Sequence, residues 1–409
     1  MVVAFPGGPL TKPVFHQSRP VGRLFSYGAP GRASTDKERT MTTLDDTPLD
    51  TELHTDASYA ASHARSATLH ELIDDPRARG RENLRVLTGD RPTGPLHIGH
   101  LFATLQSRVA IQDKGIETIV LVADYQVITD RDSVGDVRAA TLGQLADYLA
   151  SGIDPARSTI FAHSAVPEIG QLTLAFLSLV TDAELRRNPT VKDELAATDG
   201  RPLSGLLLTY PVHQAADILG VHGTVVPVGR DQLPHVEQTR AIARRFNSRY
   251  AAGEEYFRAP DALLTDLPVV PGLDGRKMST SRGNGISLGM TADETATRIR
   301  KARTDSERRI TFAPEGRPEV SSMLRIVGLF TGEAPERVAD RIGDGGAAAL
   351  KRELTTVVND GLAEHRSRRA ELAADPAYLE SVLRQGNARA RELVVRTLDD
   401  VHDRIGLRY

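Results

Sequence analysis

From Leu84 onward the chain alternates short apolar runs with longer stretches in which apolar residues recur every three or four positions. Short runs suit buried strands and the longer period suits helices, so the pattern predicts an α/β fold, a Rossmann-like parallel sheet with crossover helices. Candidate strands are Arg85 to Thr88, Glu117 to Ala123, Ser158 to Ala162 and Thr224 to Val228. Between the first two, Ile98, Leu101, Leu105 and Val109 share one helix face.

After Gly289 the text becomes helical throughout. Thr291-Ala292-Asp293-Glu294 has capping-box spacing, and a long stripe through Leu379, Val382, Leu383, Ala390, Leu393, Val394, Val401 and Ile405 follows. The expected organisation is a Rossmann-like catalytic domain with a helical insertion over 84–290 and a C-terminal α-helical domain over 291–409. Residues 1–83 are rich in Pro and Gly, lack sustained periodicity and read as a largely disordered extension. This extension is polarised: residues 1–40 carry six Lys or Arg against two acids, and residues 41–56 carry five acids and no Lys or Arg. Pro6-Gly7-Gly8-Pro9 disfavours the amphipathic helix of an organellar transit peptide, and Met41 is an alternative start, so a cytoplasmic protein is expected.

The formal net charge is -3 and no apolar run reaches spanning length, which predicts a soluble protein rather than a membrane one. A nucleic-acid partner would have to be met by local basic patches. Cysteine is absent, which excludes disulfides and thiolate metal sites, and no metal-ligand set is assigned. Only seven Lys stand against 44 Arg, so each Lys is informative.

Four segments carry candidate chemistry. Gly89-Asp90-Arg91-Pro92-Thr93-Gly94-Pro95-Leu96-His97-Ile98-Gly99-His100 runs from the first strand into the first helix, where parallel sheets bind ligands. Helix-start N–H groups attract phosphate, Gly99 admits close approach, and His97 and His100 share one side of the opening turn as donors. Gly272 to Asn284 is a polar, Gly-flanked loop in which Lys277, Ser279 and Ser281 offer a cation and hydroxyls for phosphate charge. Each motif alone also suits an ordinary surface turn; their pairing at the two ends of one domain points to nucleotide chemistry.

The third segment, Leu208 to Leu219, reads as a helix with Pro211 in its first turn and with Tyr210, Gln214 and Asp217 on one face. That stripe suits either solvent or a ligand. The fourth, Val226 to Glu237, is a strand ending in Gly and followed by a helix, where Asp231 serves as an N-cap, a ribose ligand or both.

In this order the segments resemble class I aminoacyl-tRNA synthetases over about residues 85–409. Leu207-Leu208-Thr209-Tyr210-Pro211, Ala215 to Leu219, Val226 to Gly229 with Asp231-Gln232, and Thr304 to Glu307 resemble the bacterial tryptophanyl branch in particular. The resemblance implies ATP contacts at Arg91, Pro92, Thr93, Gly99, His100, Gly229, Arg230, Asp231 and Lys277-Met278-Ser279-Thr280-Ser281. Catalytic roles would fall to His97, His100, Lys277, Ser279 and Ser281. Asp217 would accept the indole N–H of L-tryptophan, with Tyr210, Gln214 and Gln232 completing that site. It further implies Mg2+, tRNA(Trp), a homodimer and a C-terminal domain that reads the anticodon. Thr280 departs from the motif, where many relatives have a second Lys, and Arg282 is a candidate substitute. Gln214 and Gln126 stand where many relatives carry Met and His, as in an auxiliary second form of the enzyme.

Overall fold

The computed structural model describes residues 56–75, 77–78, 80–129, 135–196, 204–264, 270–280 and 282–409. Helix α1 (Asp56–Asp74) precedes β1 (Arg85–Asp90) and α2 (Ile98–His100), which runs through a π-helical turn, Leu101–Leu105, into α3 (Gln106–Asp113). Then come β2 (Glu117–Val122), α4 (Val137–Ala150), β3 (Ser158–Ala162), α5 (Glu168–Leu177), α6 (Asp182–Arg187) and α7 (Pro189–Ala196). Helix α8 (Gly205–Gly220), β4 (Val225–Val228), α9 (Leu233–Tyr250) and β5 (Asp261–Leu264) complete the α/β part. Five helices follow: α10 (Ala292–Lys301), α11 (Pro318–Thr331), α12 (Pro335–Ile342), α13 (Gly346–Ala373) and α14 (Pro376–Ile405).

All strands pair in parallel, in the order β3-β2-β1-β4-β5. The chain winds outward from β1 in both directions, so the carboxyl ends of β1 and β4 flank the switch point where such sheets bind ligands. The four candidate strands are present to within two residues, whereas β5 has no counterpart in the expected set. Its four residues, Asp-Ala-Leu-Leu, are too few to show a period.

Alternation along β2 sends Ile119 and Leu121 to one face and Val120 and Val122 to the other. The first face packs on α5, α8 and α9, and the second joins a core shared with Leu350, Leu354, Val358 and Leu362 of α13. The hydrophobic core therefore continues across residue 290, and the C-terminal helices share it with the sheet. Helix α14 crosses the edge strand β3 in backbone contact, since a Cβ on Gly386 would stand 1.8 Å from the Ile160 carbonyl oxygen. There the Ala162 N–H donates to Asn387 Oδ1 at 2.9 Å, filling a group the edge would otherwise leave open. Asp147 of α4, itself buried, accepts from Arg369 Nε of α13 at 2.7 Å.

The expectation of a largely disordered segment up to residue 83 is corrected over Asp56–Asp74, which is the helix α1. It covers the opposite edge of the sheet, burying Leu69 and Ile73 against Leu84, Val86, Val225 and Leu263. Two buried apolar residues among the described side chains of this helix make too sparse a stripe to be read locally, and packing rather than propensity holds such a helix. Residues 1–55, with the charge polarity, the Pro-Gly run and Met41, lie outside the described residues. Among the described residues no helix is long and apolar enough to cross a membrane.

Candidate active site

The first signature loop leaves β1 beside β2. A Cβ on Gly89 would lie 2.4 Å from the Leu121 carbonyl oxygen, so glycine lets the strands approach here. The start of α2 is fastened to the stretch beyond the second loop, with Ile98 N–H donating to Ile286 O (3.0 Å) and Leu288 N–H to Leu96 O (2.9 Å). The two signature segments, nearly 200 residues apart by number, are thereby neighbours.

His97 N–H donates to His100 Nδ1 at 3.1 Å, which leaves the proton of neutral His100 on Nε2 as an outward donor. The two rings lie 3.9 Å apart. Burial, reinforced by the neighbouring His100, pushes His97 down to about 3, and burial also lowers His100. Both imidazoles are thus neutral at pH 7. Gly99 serves the pair directly, because a Cβ there would meet His97 Nδ1 at 2.8 Å.

Asn284 organises the second loop. Its Nδ2 donates to Asp274 Oδ1 (2.7 Å) and to the Lys277 carbonyl (3.1 Å), and its Oδ1 accepts from the Ser279 N–H (2.8 Å). Lys277 is exposed, paired as a short antiparallel bridge with Pro271, while Met278 next to it is buried. Thr280 leans on the first loop, its Cγ2 standing 2.8 Å from where a Cβ of Gly94 would be.

Two adjoining cavities open at the carboxyl ends of β1 and β4. The larger, about 1050 Å³, is lined by His97, Gly99, His100, Gly229, Arg230, Asp231, Lys277 and Met278. The smaller, about 280 Å³, is lined by Arg91, Tyr210, Gln214, Asp217 and Gln232, together with His163 and Gln126. Thr88, Gly89, Asp90, Gln214, Val226 and Gln232 belong to both, so the chambers communicate. Pro92, Thr93, Ser279 and Thr280 line neither, and Ser281 lies outside the described residues.

A family model described as tRNA synthetases class I (W and Y) matches residues 79–363. The chain belongs to that family. It is 37% identical over 337 residues to the tryptophan–tRNA ligase of Lactococcus lactis, covering 79% of this chain and 98% of the relative. The solved tryptophanyl-tRNA synthetase of Campylobacter jejuni, complexed with ADP and tryptophan, superposes with a TM-score of 0.70 at 31% identity, covering 79% of this chain and 100% of that one. That of Mycoplasma pneumoniae gives 0.64 at 25% identity, covering 79% and 97%.

In this class I synthetase the smaller cavity is built on α8. Ser204 caps the helix, its Oγ accepting from Leu207 N–H at 3.0 Å, four residues before Leu208, where the helical segment was expected to begin. Pro211 accordingly sits in the helix interior, not in its first turn as expected. Tyr210, Gln214 and Asp217 share the cavity side, so the solvent-stripe alternative does not hold. Asp217 is 3% exposed, and His163 Nε2, at the end of β3, lies 2.6 Å from its Oδ1. His213 stacks on His163 with centroids 4.5 Å apart and is bridged to Gln126 Nε2 at 3.0 Å. Tyr210 Oη is paired with His235 Nε2 at 3.1 Å.

His163 was missed because only the fold brings residue 163 to residue 217. Among the described residues His163, His213 and Asp217 alone present metal-competent atoms together, within 4.8 Å. His163 Nε2 and Asp217 Oδ1 already pair as donor and acceptor, while His163 Nδ1 is buried without a hydrogen-bond partner.

Asp90, shared by both chambers, was also unassigned. Arg108 Nη1 (2.6 Å) and Tyr148 Oη (2.7 Å) donate to its Oδ2. Burial, the largest single influence, would raise this carboxyl, but the charge and hydrogen bond of Arg108, with smaller contributions from His100 and the Tyr148 hydroxyl, together outweigh it and hold Asp90 at about 2. Asp231 lies in a short 3-10 turn, with Gln232 at the N-cap of α9, so the capping role expected of it is not realised. Arg282 lines a different cavity with Arg298, Lys301 and Arg303, not the larger chamber; it is poorly placed to stand in for a cation at Thr280.

Proposed function

We propose that the chain is an ATP-dependent tryptophan–tRNA ligase. It forms tryptophanyl-adenylate and pyrophosphate from L-tryptophan and ATP, then passes the aminoacyl group to the 3′-terminal ribose of tRNA(Trp). The observation that carries the reading is Asp217, a carboxylate at the floor of a chamber that opens directly into the phosphate-facing one.

An indole N–H would meet Asp217, which would otherwise remain a buried acceptor short of one donor; a side chain without that N–H is rejected on the same ground. Tyr210 of the smaller chamber and Gln232, which lines both, hold the ammonium group, which leaves the carboxylate facing the larger chamber. There Gly99, the Nε2 donor of His100 and the Gly229-Arg230-Asp231 turn position ATP, and the substrate carboxylate attacks the α-phosphorus. Lys277 and the hydroxyls of its loop stabilise the departing pyrophosphate, so positioning and electrostatics perform the reaction and no protein nucleophile is needed.

Asp90 and Asp231 are the carboxylates lining the larger chamber, and Asp90 is engaged by Arg108 and Tyr148. Such a donor set suits Mg2+ carried on phosphate oxygens and water, with Asp231 at most adding a ligand. Bound there, Mg2+ would neutralise phosphate charge. The homodimer, cytoplasmic location and anticodon reading by 291–409 complete the proposal, supported by alignment of nearly the full length of the Lactococcus relative.

Amino-acid-dependent pyrophosphate exchange tests the reading, with tryptophan and tyrosine compared in parallel. Exchange with tryptophan and none with tyrosine is expected; no exchange with either would indicate a silent paralogue.

A further inference from the structure

The family match begins at residue 79, so helix α1, Asp56–Asp74, precedes it. Yet α1 reaches the nucleotide chamber. Near its start the Tyr59 ring lies under the Arg230 guanidinium, 4.2 Å from ring centroid to Cζ, and Arg230 lines the larger cavity. Tyr59 is half-buried against the core that α8 and α9 share, so its ring is a fixed platform.

The rest of α1 is anchored beyond that contact, toward the C-terminal end of the helix. Arg65 pairs with Glu237 of α9 (2.5 Å) and with Asp261 of β5 (3.0 Å), and Ser62 donates to Glu237 (3.3 Å). Farther along, Ser66 Oγ accepts the Leu264 N–H (2.8 Å) and His70 Nε2 meets the Leu264 carbonyl (3.0 Å), closing the edge of β5. Closing the edge accounts for Ser66, His70, Leu69 and Ile73. It does not account for Tyr59, which lies near the opposite end of the helix and faces the loop of Gly229.

We propose that Tyr59 is a positioning residue for ATP, holding Arg230 by cation–π stacking at the mouth of the nucleotide chamber. Arg is long and loses considerable rotamer freedom when fixed; a ring beneath it restricts the guanidinium before the nucleotide arrives. The segment ahead of the family fold thus contributes to the active site. This inference rests on the assignment of Arg230 to ATP.

The test is pyrophosphate exchange with ATP and tryptophan varied separately. Tyr59→Ala should raise the KM for ATP about threefold, the scale of an exposed cation–π contact, with the KM for tryptophan unchanged. Tyr59→Phe should restore it, and Tyr59→Leu, which keeps apolar bulk without a ring face, should resemble Ala. In an Arg230→Ala background Tyr59→Ala should add nothing. An ATP KM at the wild-type value in Tyr59→Ala and Tyr59→Leu, or the same threefold change without Arg230, overturns the proposal. If Arg230→Ala itself leaves the ATP KM unaltered, the assignment of Arg230 to ATP fails first and the proposal with it.

Discussion

His163 Nε2 stands 2.6 Å from Asp217 Oδ1, with the two residues only 1% and 3% exposed. One side chain comes from the end of β3 and the other from α8, and their pairing fixes which carboxylate oxygen is left for a ligand. His213 stacked on His163 keeps the imidazole from turning away.

Asp217→Ala should lower kcat/KM for tryptophan on the order of 1,000-fold, because it strands the His163 donor and removes the indole acceptor together. His163→Gln, which keeps an N–H donor, should stay within about tenfold of wild type. Pyrophosphate exchange measures both, and an Asp217→Ala enzyme within tenfold of wild type would remove Asp217 from substrate recognition.

Asn284 makes three hydrogen bonds inside the second signature loop, two as donor and one as acceptor. Asn284→Ala should reduce kcat about 10- to 100-fold by loosening the loop that presents Lys277. Asn284→Asp should be no better than Ala, since it keeps the acceptor for Ser279 N–H but sets a second carboxylate against Asp274. Single-turnover adenylate formation checks the order, and full activity in both variants would show the loop is held elsewhere.

Stability should fall as the solution is acidified from about pH 6.5 toward 4. Burial pushes His235 down to about 4, against a small opposing pull from Asp231, and His97 down to about 3. In that window the unfolded chain binds protons that the native imidazoles refuse, so protonation favours unfolding, and the stability is present above the unfolded value and lost below it. Asp90, held at about 2, adds its own loss only in stronger acid, as pH falls through the folded value. Melting temperature against pH should be flatter between 6.5 and 4 for His235→Asn than for wild type; parallel curves would contradict the assignment.

Gly386→Ala should cost about 2–3 kcal/mol, because even a methyl group meets the Ile160 carbonyl oxygen and must push α14 off the edge of β3. Urea unfolding measures it, and an unchanged midpoint would mean that the helix accommodates the methyl by sliding.

Four strands, the helix stripe of Ile98 and Leu105, and the capping box at Thr291 and Glu294 were all legible in the sequence. Each is a local matter: side-chain period sets which face is buried, and a Thr three residues before a Glu offers both caps of one turn. The signature loops were legible for a related reason, since Gly, His and Lys at short spacing determine what a loop can offer a phosphate. Helix α1, strand β5, the Asp90–Arg108–Tyr148 network and the pairing of His163 with Asp217 were decided by tertiary structure alone. Their partners lie tens to hundreds of residues apart along the chain, and burial, which makes a hydrogen bond or ion pair there consequential, exists only once the sheet and its covering helices have assembled.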